Sequence, residues 1–369
     1  MNKFTMFLNL FQSAVTEEEV KKIVAQVGYE DTARKCTVYQ LLSFFAQAAF
    51  GQWRSYRHGA LQTSLCGLPK MDYSSLSKKA KDVPFEIFKQ FFHLFVQKCN
   101  RRTQRKLKFP KELLVTDSTK VTVGVGRLPW APLKGSRAGV KLNVAFRPSI
   151  GQPHQVVEST GNYHDICSSD ALFDSAFINV ADRAYAKCTR FDKYVEQKRD
   201  FVIRLKDEVV LHEPRPSRRQ RPVDSFIELD VTCQLGTGVN RSRLRHRVVK
   251  FRDPAGNPVI LATSLKRISA EKIAEIYKIR WQIEVFFRWI KQHLNVPALF
   301  GTTPNSVYSQ LYIALLVYVL LKSVYDEIHP RVPIFSDLSF VNFTRRLSLQ
   351  LLPADWVVLL YQYRVPNYG

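Results

Sequence analysis

The sequence predicts an α/β protein in which a mixed β-sheet with flanking helices follows an all-helical N-terminal region. Two patterns lead to this prediction. From Met1 to about Arg102 apolar residues recur with the 3.6-residue period of helices, whereas from Leu113 onward many recur at every second position, as in strands. Because 46% of the 369 residues are apolar, the chain can bury more than one core, and we expect two or three domains.

Four helices are predicted in the N-terminal region, after a short amphipathic helix at the start of the chain. Breakers such as Gly51 and Pro84 separate them, and Thr16 is placed to cap the first. Aromatic and basic residues are interleaved from Trp53 to His58, and Ser74 to Lys79 is polar and basic. The region is predicted either as a DNA-binding module, for example of the helix-turn-helix kind, or as a plain helical domain with a solvated basic face. The predicted helices are Glu17 to Val27, Thr37 to Phe50, Ser74 to Lys81 and Phe85 to Cys99.

The central region carries aspartates near the ends of two predicted strands. Asp117 lies near the end of the first strand, and Asp182 directly follows a short apolar strand and precedes a predicted helix. Asp182 is equally well interpreted as the cap of that helix. Three successive strands, the first of which carries Asp117, predict a ribonuclease-H-like sheet. The predicted strands are Leu113 to Ser118, Lys120 to Val125, Gly139 to Phe146, Phe177 to Ala181 and Phe201 to Leu205.

A β-rich insertion is predicted at residues 206–256, with strands at Phe226 to Leu235 and Arg241 to Phe251. An apolar strand, Val259 to Leu265, follows it. Alternate positions of the second insertion strand are arginines, so their side chains are expected on one face, ~6.6 Å apart. That spacing would let guanidinium groups bind successive phosphates, although a charged edge strand is the alternative. The four arginines are Arg241, Arg243, Arg245 and Arg247.

A long helix is predicted from about Ser269 to Leu294. At 100° per residue its charged residues and one tyrosine share a face, beside an apolar stripe that includes Ile276, Ile283 and Ile290. The helix is therefore expected to lie half in a core with its charges at the edge of a cleft. An ordinary solvated face with ion pairs four residues apart is the alternative. The shared face carries Tyr277, Arg280, Glu284, Arg288 and Lys291.

A second long helix, from about Ser306 to Glu327, is apolar nearly all round and is predicted to be buried against the sheet or the preceding helix. Its longest apolar run, Leu311 to Leu321, has eleven residues, fewer than the ~20 of a membrane span. No association with a membrane is therefore expected.

Composition indicates the class of partner. Lysine and arginine number 55 against 32 acidic residues, which gives a net charge of +23. Such a surplus on a folded, aromatic-rich chain indicates a polyanion, first nucleic acid and only second an anionic membrane. The six cysteines are scattered without metal-ligand spacing, so a reducing cytoplasm is expected, with neither a zinc site nor a disulfide framework.

The spacing Tyr277-x2-Arg280-x3-Glu284-x6-Lys291 resembles the signature around the third catalytic carboxylate of DDE transposases of the IS-four family of bacterial insertion sequences. The segments that begin at Asp117 (Asp-Ser-Thr) and Asp182 (Asp-Arg-Ala-Tyr) are similar to the other two boxes of that family. The resemblance covers about Leu113 to Leu321, with a β-rich insertion before the glutamate helix. It implies domains at 1–104 (helical, DNA-binding), 105–330 (ribonuclease-H-like, interrupted by 206–256) and 331–369 (helical).

The resemblance also implies a chemistry and partners. Asp117, Asp182 and Glu284 would be the catalytic residues and would bind two Mg²⁺ ions, for which Mn²⁺ can substitute. Repulsion among these acids would raise their pKa values, so the cluster is expected to be loose or partly protonated. Arg280 and Lys291 would bind the DNA end, with Tyr277 on its backbone and Arg288 as a lesser candidate.

The implied reaction is cleavage of the inverted repeats at the element's ends, followed by attack of the freed 3′-hydroxyls on target DNA. A homodimer on paired double-stranded ends, in the bacterial cytoplasm at the nucleoid, is the implied assembly. Two alternatives stay open: another ribonuclease-H-like nuclease that acts on branched or damaged DNA, and a non-catalytic DNA-binding protein descended from a transposase.

Overall fold

The computed structural model describes residues 5–100, 108–133, 135–217, 222 and 224–363. The chain forms two compact units. The helical unit contains Met1–Thr103, Val121–Trp130 and Phe287–Gly369, and the sheet unit contains Gln104–Lys120 and Ala131–Phe286. The predicted division into 1–104, 105–330 and 331–369 stays a prediction, and its first boundary lies outside the described residues.

The predicted helices of the N-terminal region are present with nearly the expected bounds. Thr16 and Glu19 form a reciprocal capping box at the start of α2, and the hydroxyl of Thr37 caps α3. In chain order the helices are α1 (Thr5–Ala14), α2 (Glu17–Val27), α3 (Val38–Phe50), α4 (Tyr56–Gln62), α5 (Tyr73–Asp82), α6 (Phe85–Asn100), α7 (Ser169–Leu172), α8 (Cys188–Glu196), α9 (Ala270–Lys278), α10 (Trp281–His293), α11 (Pro304–Ile328), α12 (Phe340–Leu349) and α13 (Ala354–Gln362).

Helix α11 is the centre of the helical unit. It is buried along nearly its whole length, as predicted, but it packs mainly against α3, α5 and α6 rather than against the sheet or the preceding helix as expected. The Tyr56 hydroxyl and Ser306 Oγ are 2.6 Å apart, which joins α4 to the start of α11. By length and composition a segment that includes α11, Pro304–Arg331, could cross a membrane, but 89% of its most apolar stretch is buried inside the protein.

The interleaved aromatic and basic segment does not form a DNA-contacting surface of aromatic rings. Trp53 and Tyr56 are buried, and both rings pack against Phe44 of α3. In α5, Lys79 forms an ion pair with Asp31, whereas Lys78 is exposed. The aromatic residues of this segment therefore belong to the core, and a DNA-binding role for the region stays a prediction.

The sheet unit contains a mixed sheet in the order β3-β2-β1-β4-β5-β9-β8-β7-β6. Strands β1, β4 and β5 are parallel neighbours, and β9 joins β5 in the antiparallel direction. This arrangement confirms the predicted mixed sheet. The strands are β1 (Leu113–Gly124), β2 (Arg137–Arg147), β3 (Gln152–Thr160), β4 (Ile178–Ala181), β5 (Asp200–Arg204), β6 (Leu211–Pro216), β7 (Ile227–Leu235), β8 (His246–Arg252) and β9 (Pro258–Thr263).

Three features of the sheet differ from the prediction. The two strands expected on either side of Thr119 are one strand, β1, and the third strand of the series is β3, which the sequence pattern did not indicate. Strand β6 was also not predicted. The insertion strands β6, β7 and β8 extend the same sheet through β9. The insertion is thus continuous with the sheet.

The helix predicted from Ser269 to Leu294 is broken. Helix α9 ends at Lys278 and α10 begins at Trp281, so Ile279 and Arg280 form a turn between them. The expected apolar stripe is nevertheless present, because Ile276, Ile283 and Ile290 are all fully buried. The break sets the position of Arg280 at the start of α10 rather than within a continuous helix.

Candidate active site

Asp117 lies within β1 and Asp182 directly follows β4, at the same step of the register of these neighbouring parallel strands. Thr116 of β1 is paired with Ala181 of β4, and each aspartate is the next residue. Adjacent strands lie ~4.8 Å apart and residues in register point to the same face, so the two carboxylates are neighbours at the carboxyl edge of the sheet. Asp182 directly follows its strand, as predicted, whereas Asp117 lies inside its strand and not near the end, because β1 continues to Gly124. The strand order brings the two aspartates together.

Asp182 also caps a 3₁₀ turn, and not the following helix as the alternative interpretation proposed, because α8 begins only at Cys188. Its Oδ1 accepts a hydrogen bond of 2.9 Å from the backbone N–H of Ala184, at the start of a 3₁₀ turn. Asp117 is held similarly, because its Oδ1 accepts from the N–H of Ser118 at 2.7 Å. Local hydrogen bonds therefore fix the orientation of both carboxylates, and capping does not exclude a second role for Asp182.

Glu284 is connected to Asp117 through Arg280. The Arg280 Nη2 donates to Glu284 Oε1 at 2.6 Å, and its Nη1 donates to Asp117 Oδ2 at 3.2 Å. The Arg280 side chain is 17% exposed, and the two carboxylates are 19% and 32% exposed. The i,i+4 pair of the alternative interpretation is therefore present, but its arginine also spans to an acid 163 residues earlier in the chain.

The pKa of Asp117 depends on its burial and on the charges of the neighbouring residues. Burial raises the pKa of Asp117 from 3.8 to about 6. The Ser118 N–H and the Arg280 guanidinium oppose this rise, and the negative charges of Asp182 and Glu284 add to it. Partial protonation was predicted from repulsion among the acids, but its largest cause is loss of water around Asp117.

Tyr277 lies beside Arg280, as the signature predicted. Its ring centroid is 5.7 Å from the guanidinium carbon of Arg280, and burial raises the pKa of its hydroxyl. Tyr277 is 9% exposed, so little more than the edge of its side chain can reach a ligand. Its electrostatic neighbours include Arg204 and Asp182.

Arg204 is a basic residue of the site that sequence reasoning missed. It is the last residue of β5, and the register of β4 with β5 places it beside Asp182. Its Nη2 donates to the carbonyl of Pro258 at 3.3 Å, and its buried Nε has no hydrogen-bond partner. The sequence places Arg204 near the carboxyl end of a predicted strand. Only the strand order of the folded sheet shows that this strand lies next to the one that precedes Asp182.

Arg288 and Lys291 lie further along the helix that carries Glu284. Lys291 is seven residues from Glu284, or ~10.5 Å along the helix axis. Arg288 is exposed, and burial lowers the pKa of the half-buried Lys291. Both residues belong to the part of α10 that is grouped with the helical unit.

The four arginines of the insertion do not form the predicted row on one strand face. Strand β8 begins only at His246, so Arg241, Arg243 and Arg245 lie in the preceding loop. Arg247 is 3% exposed, and its guanidinium forms a buried bidentate pair with Asp230. The prediction of a shared face was wrong because the alternation of arginines continues across the boundary between a loop and a strand.

The other three arginines of this group have partners within the fold. Arg245 donates to the carbonyls of Glu213 and Thr232, and Arg243 forms an ion pair with Glu196 at 2.7 Å. Arg241 donates to Gln234 Oε1 at 2.7 Å. Arg241 and Arg243 remain exposed, and their binding to DNA stays a prediction, whereas the buried guanidinium of Arg247 cannot reach a ligand.

The donor set suits divalent cations, but it is not arranged as a ready-made metal site. Carboxylate oxygens are the ligands that Mg²⁺ and Mn²⁺ prefer. Within the described part of the chain, however, no three His, Cys, Asp or Glu side chains lie at metal-ligand spacing. Arg280 lies between two of the acids. The residues therefore fit a metal centre in chemistry, and the position of Arg280 must change for Asp117 and Glu284 to share an ion.

Comparison with known proteins gives a consistent family. The model of the family described as "Transposase DDE domain" matches residues 108–320. The chain is 48% identical to the probable transposase for insertion sequence element IS5377 of Geobacillus stearothermophilus, over all of both chains. It is 29% identical to the putative transposase y4zB of Sinorhizobium fredii (strain NBRC 101917 / NGR234), over 65% of this chain and 67% of that one.

One solved structure shows a weak likeness to the whole chain. It is the piggyBac transposase synaptic complex with hairpin DNA, at a TM-score of 0.47 and 13% sequence identity. The likeness covers 97% of this chain and 82% of that one.

Proposed function

The chain belongs to the transposase DDE domain family, and from this premise we propose that it cuts and joins DNA at the inverted repeats that end an insertion sequence. We assign Asp117, Asp182 and Glu284 as its catalytic acids. The observation that supports the assignment most directly is that Asp117, which lies in register with Asp182, is joined to Glu284 through the guanidinium of Arg280. Membership of the narrower IS-four family is part of the proposal.

Asp117, Asp182 and Glu284 would together hold Mg²⁺, as two ions, with Mn²⁺ able to substitute. Bound there, the metal would activate a water or 3′-hydroxyl and stabilise the leaving oxygen of the phosphodiester. The chain itself contributes orientation, because the N–H groups of Ser118 and Ala184 each hold one oxygen of an aspartate. The other oxygen of Asp117 accepts a hydrogen bond from Arg280.

Basic side chains around the acids would bind the DNA backbone. Arg280 and Arg204 are half-buried at the carboxyl edge of the sheet, and each has a buried Nε without a hydrogen-bond partner. A phosphate oxygen could accept from such a donor. Tyr277 would fix Arg280 from one side, and Lys291 and Arg288 would extend the basic track along α10.

Double-stranded DNA is the proposed partner, both as element ends and as target. The net charge of +23 supports this partner. A homodimer on paired ends would carry out the reaction in the bacterial cytoplasm, at the nucleoid. The helices of residues 1–104 would bind the terminal repeats.

The test is cleavage of DNA that carries the ends flanking the protein's own gene. We expect wild type to nick it with Mg²⁺ or Mn²⁺, and Asp117→Asn, Asp182→Asn and Glu284→Gln each to lose about a thousandfold or more in rate. Glu228→Gln is the control and should leave the rate unchanged, because Glu228 lies in β7 and pairs with Lys250 and Arg252 of β8.

Equal nicking by all five proteins would remove the catalytic assignment. Metal-dependent cleavage of branched DNA without preference for the element ends would favour a resolvase-like or repair nuclease. Sequence-specific binding of the ends without cleavage by wild type would favour a non-catalytic DNA-binding protein.

A further inference from the structure

Arg280 is shared between two acids in an arrangement that leaves part of its hydrogen-bonding capacity unused. Its two terminal nitrogens donate to different carboxylates, Asp117 and Glu284, and its buried Nε donates to nothing. Asp182 adds a third negative charge within electrostatic range of Asp117. One guanidinium thus neutralises only part of the charge that surrounds it.

Two other arginines of the sheet unit form bidentate pairs with a single carboxylate. Arg247 donates to Asp230 from Nε and Nη2, both at 2.8 Å, and its Nη1 donates to two backbone carbonyls. Arg147 donates to Glu112 from Nε at 2.9 Å and from Nη2 at 2.7 Å. Bidentate pairs of this kind are the strongest that arginine forms with a carboxylate. Arg280 forms no such pair, although two carboxylates are within its reach.

The backbone around Arg280 also differs from that around the other two. Arg147 and Arg247 lie in strands, whereas Arg280 lies in the turn between α9 and α10. The Arg280 side chain can therefore change partners without disrupting the backbone hydrogen bonds of a helix or a strand.

We propose that Arg280 is an exchangeable counter-ion, which competes with divalent cations for the oxygens of Asp117 and Glu284 and moves to a DNA phosphate when the cations bind. The inference rests on the proposed function, because it takes these acids as metal ligands. It adds that cation binding and phosphate binding are coupled through one side chain. By linkage, each then increases the affinity for the other.

The competition is measured by titrating MnCl₂ into the full-length protein without DNA, with isothermal titration calorimetry as the readout. We expect Arg280→Gln to bind Mn²⁺ at least about tenfold more tightly than wild type, because the competing guanidinium is gone. Arg280→Lys should give an intermediate gain, since an ammonium group is a point charge that cannot span both acids in the same way.

Two control variants separate competition from a simple change of charge. Arg204→Gln removes a cation close to the same acids without removing a hydrogen bond to Asp117 or Glu284, and its affinity should rise less than about threefold. Arg147→Gln breaks an arginine–carboxylate pair of similar burial at Glu112, which precedes β1, and should not change Mn²⁺ binding. Thermal melts establish that each variant is folded, and Arg280→Lys serves if Arg280→Gln is not.

The outcomes distinguish the two proposals. A Kd for Arg280→Gln equal to or weaker than that of wild type, with binding abolished by Asp117→Asn, would overturn the competition and leave the metal site intact. A gain for Arg204→Gln as large as that for Arg280→Gln would also overturn it. Mn²⁺ binding that is absent, or unchanged by Asp117→Asn, would end both the competition and the proposed metal site.

Discussion

Two arginines in the sheet unit, Arg247 and Arg280, both pair with carboxylates, but they differ in how fully their hydrogen-bonding groups are used. At Arg247 every guanidinium nitrogen has an acceptor, Asp230 accepts from it with both oxygens, and both side chains are 3% exposed. At Arg280 one guanidinium is shared by two acids, with a third acid nearby. The difference teaches that a charge fully paired within the protein stabilises the fold, whereas acids that exceed their cations are available for a ligand.

The largest expected effect on stability concerns the buried pair of Arg247 and Asp230. Asp230→Ala leaves the buried Arg247 guanidinium without its carboxylate, and we expect a loss of about 3–5 kcal/mol in the free energy of unfolding. Urea unfolding followed by circular dichroism measures it. The matched control is the double variant Asp230→Leu with Arg247→Met, which should recover most of the loss because an apolar pair needs no partner. A loss below about 1 kcal/mol in the single variant would contradict the assignment of this pair to the fold.

The second prediction concerns Asp117 beside Arg280, where removal of the charge is expected to increase the free energy of unfolding. The pKa of Asp117 is raised to about 6, so its folded form binds a proton more readily than its unfolded form. Its contribution to stability is complete below its ordinary pKa of 3.8 and is lost as the pH rises through about 6. At pH 7.5 the ionised carboxylate of Asp117 therefore lowers the free energy of unfolding by up to about 3 kcal/mol.

Asp117→Asn should consequently be more stable than wild type at pH 7.5, and this advantage should vanish near pH 4. Thermal unfolding from pH 4 to 8, without divalent cations, follows the difference. Glu112→Gln is the control, because the pKa of Glu112 is lowered by its hydrogen bonds to Arg147 and Ser149, against the effect of burial. That variant should lose stability at neutral pH. Wild type as stable as Asp117→Asn at pH 7.5 would indicate that the acids are neutralised more fully than the contacts of Arg280 suggest.

The smallest expected effect concerns the exposed arginines of the loop before β8. Their surface contacts contribute little, so Arg241→Gln with Arg243→Gln should change stability by less than about 1 kcal/mol. If they bind phosphates, the slope of log Kd against log salt should decrease by about 1 for each arginine. Fluorescence anisotropy with duplex DNA measures this slope. Arg252→Gln, which removes another exposed arginine with an acidic partner, is the control and should leave the slope unchanged.

Much of the architecture could be predicted from periodicity and capping alone. The bounds of α2, α3 and α6 agree with the prediction to within one residue, because Thr16, Thr37 and Pro84 mark their starts. Strands β3 and β6 were missed because polar residues and prolines interrupt their apolar alternation. The break at Ile279 was missed for a different reason, since both residues of the turn are ordinary helix formers and nothing local marks it.

The acids of the site were predictable, but their surroundings were not. Asp117, Asp182 and Glu284 stand in motifs whose spacing is visible in the sequence. The burial of Arg247 and the place of Arg204 depend on which strands become neighbours, and that is a property of the whole sheet. Alternate residues share a face only within one strand, and because β8 begins at His246, Arg247 is the one arginine of the four that lies in it.

The register of β1 with β4 has a consequence for how this protein can change in evolution. Because each aspartate is one step beyond a paired residue, the distance between them is set by the separation of two strands and not by the chain that connects them. The connecting chain can thus gain or lose residues in its turns without moving either acid. Deletion of a single residue within β4, by contrast, would turn Asp182 to the opposite side of the sheet.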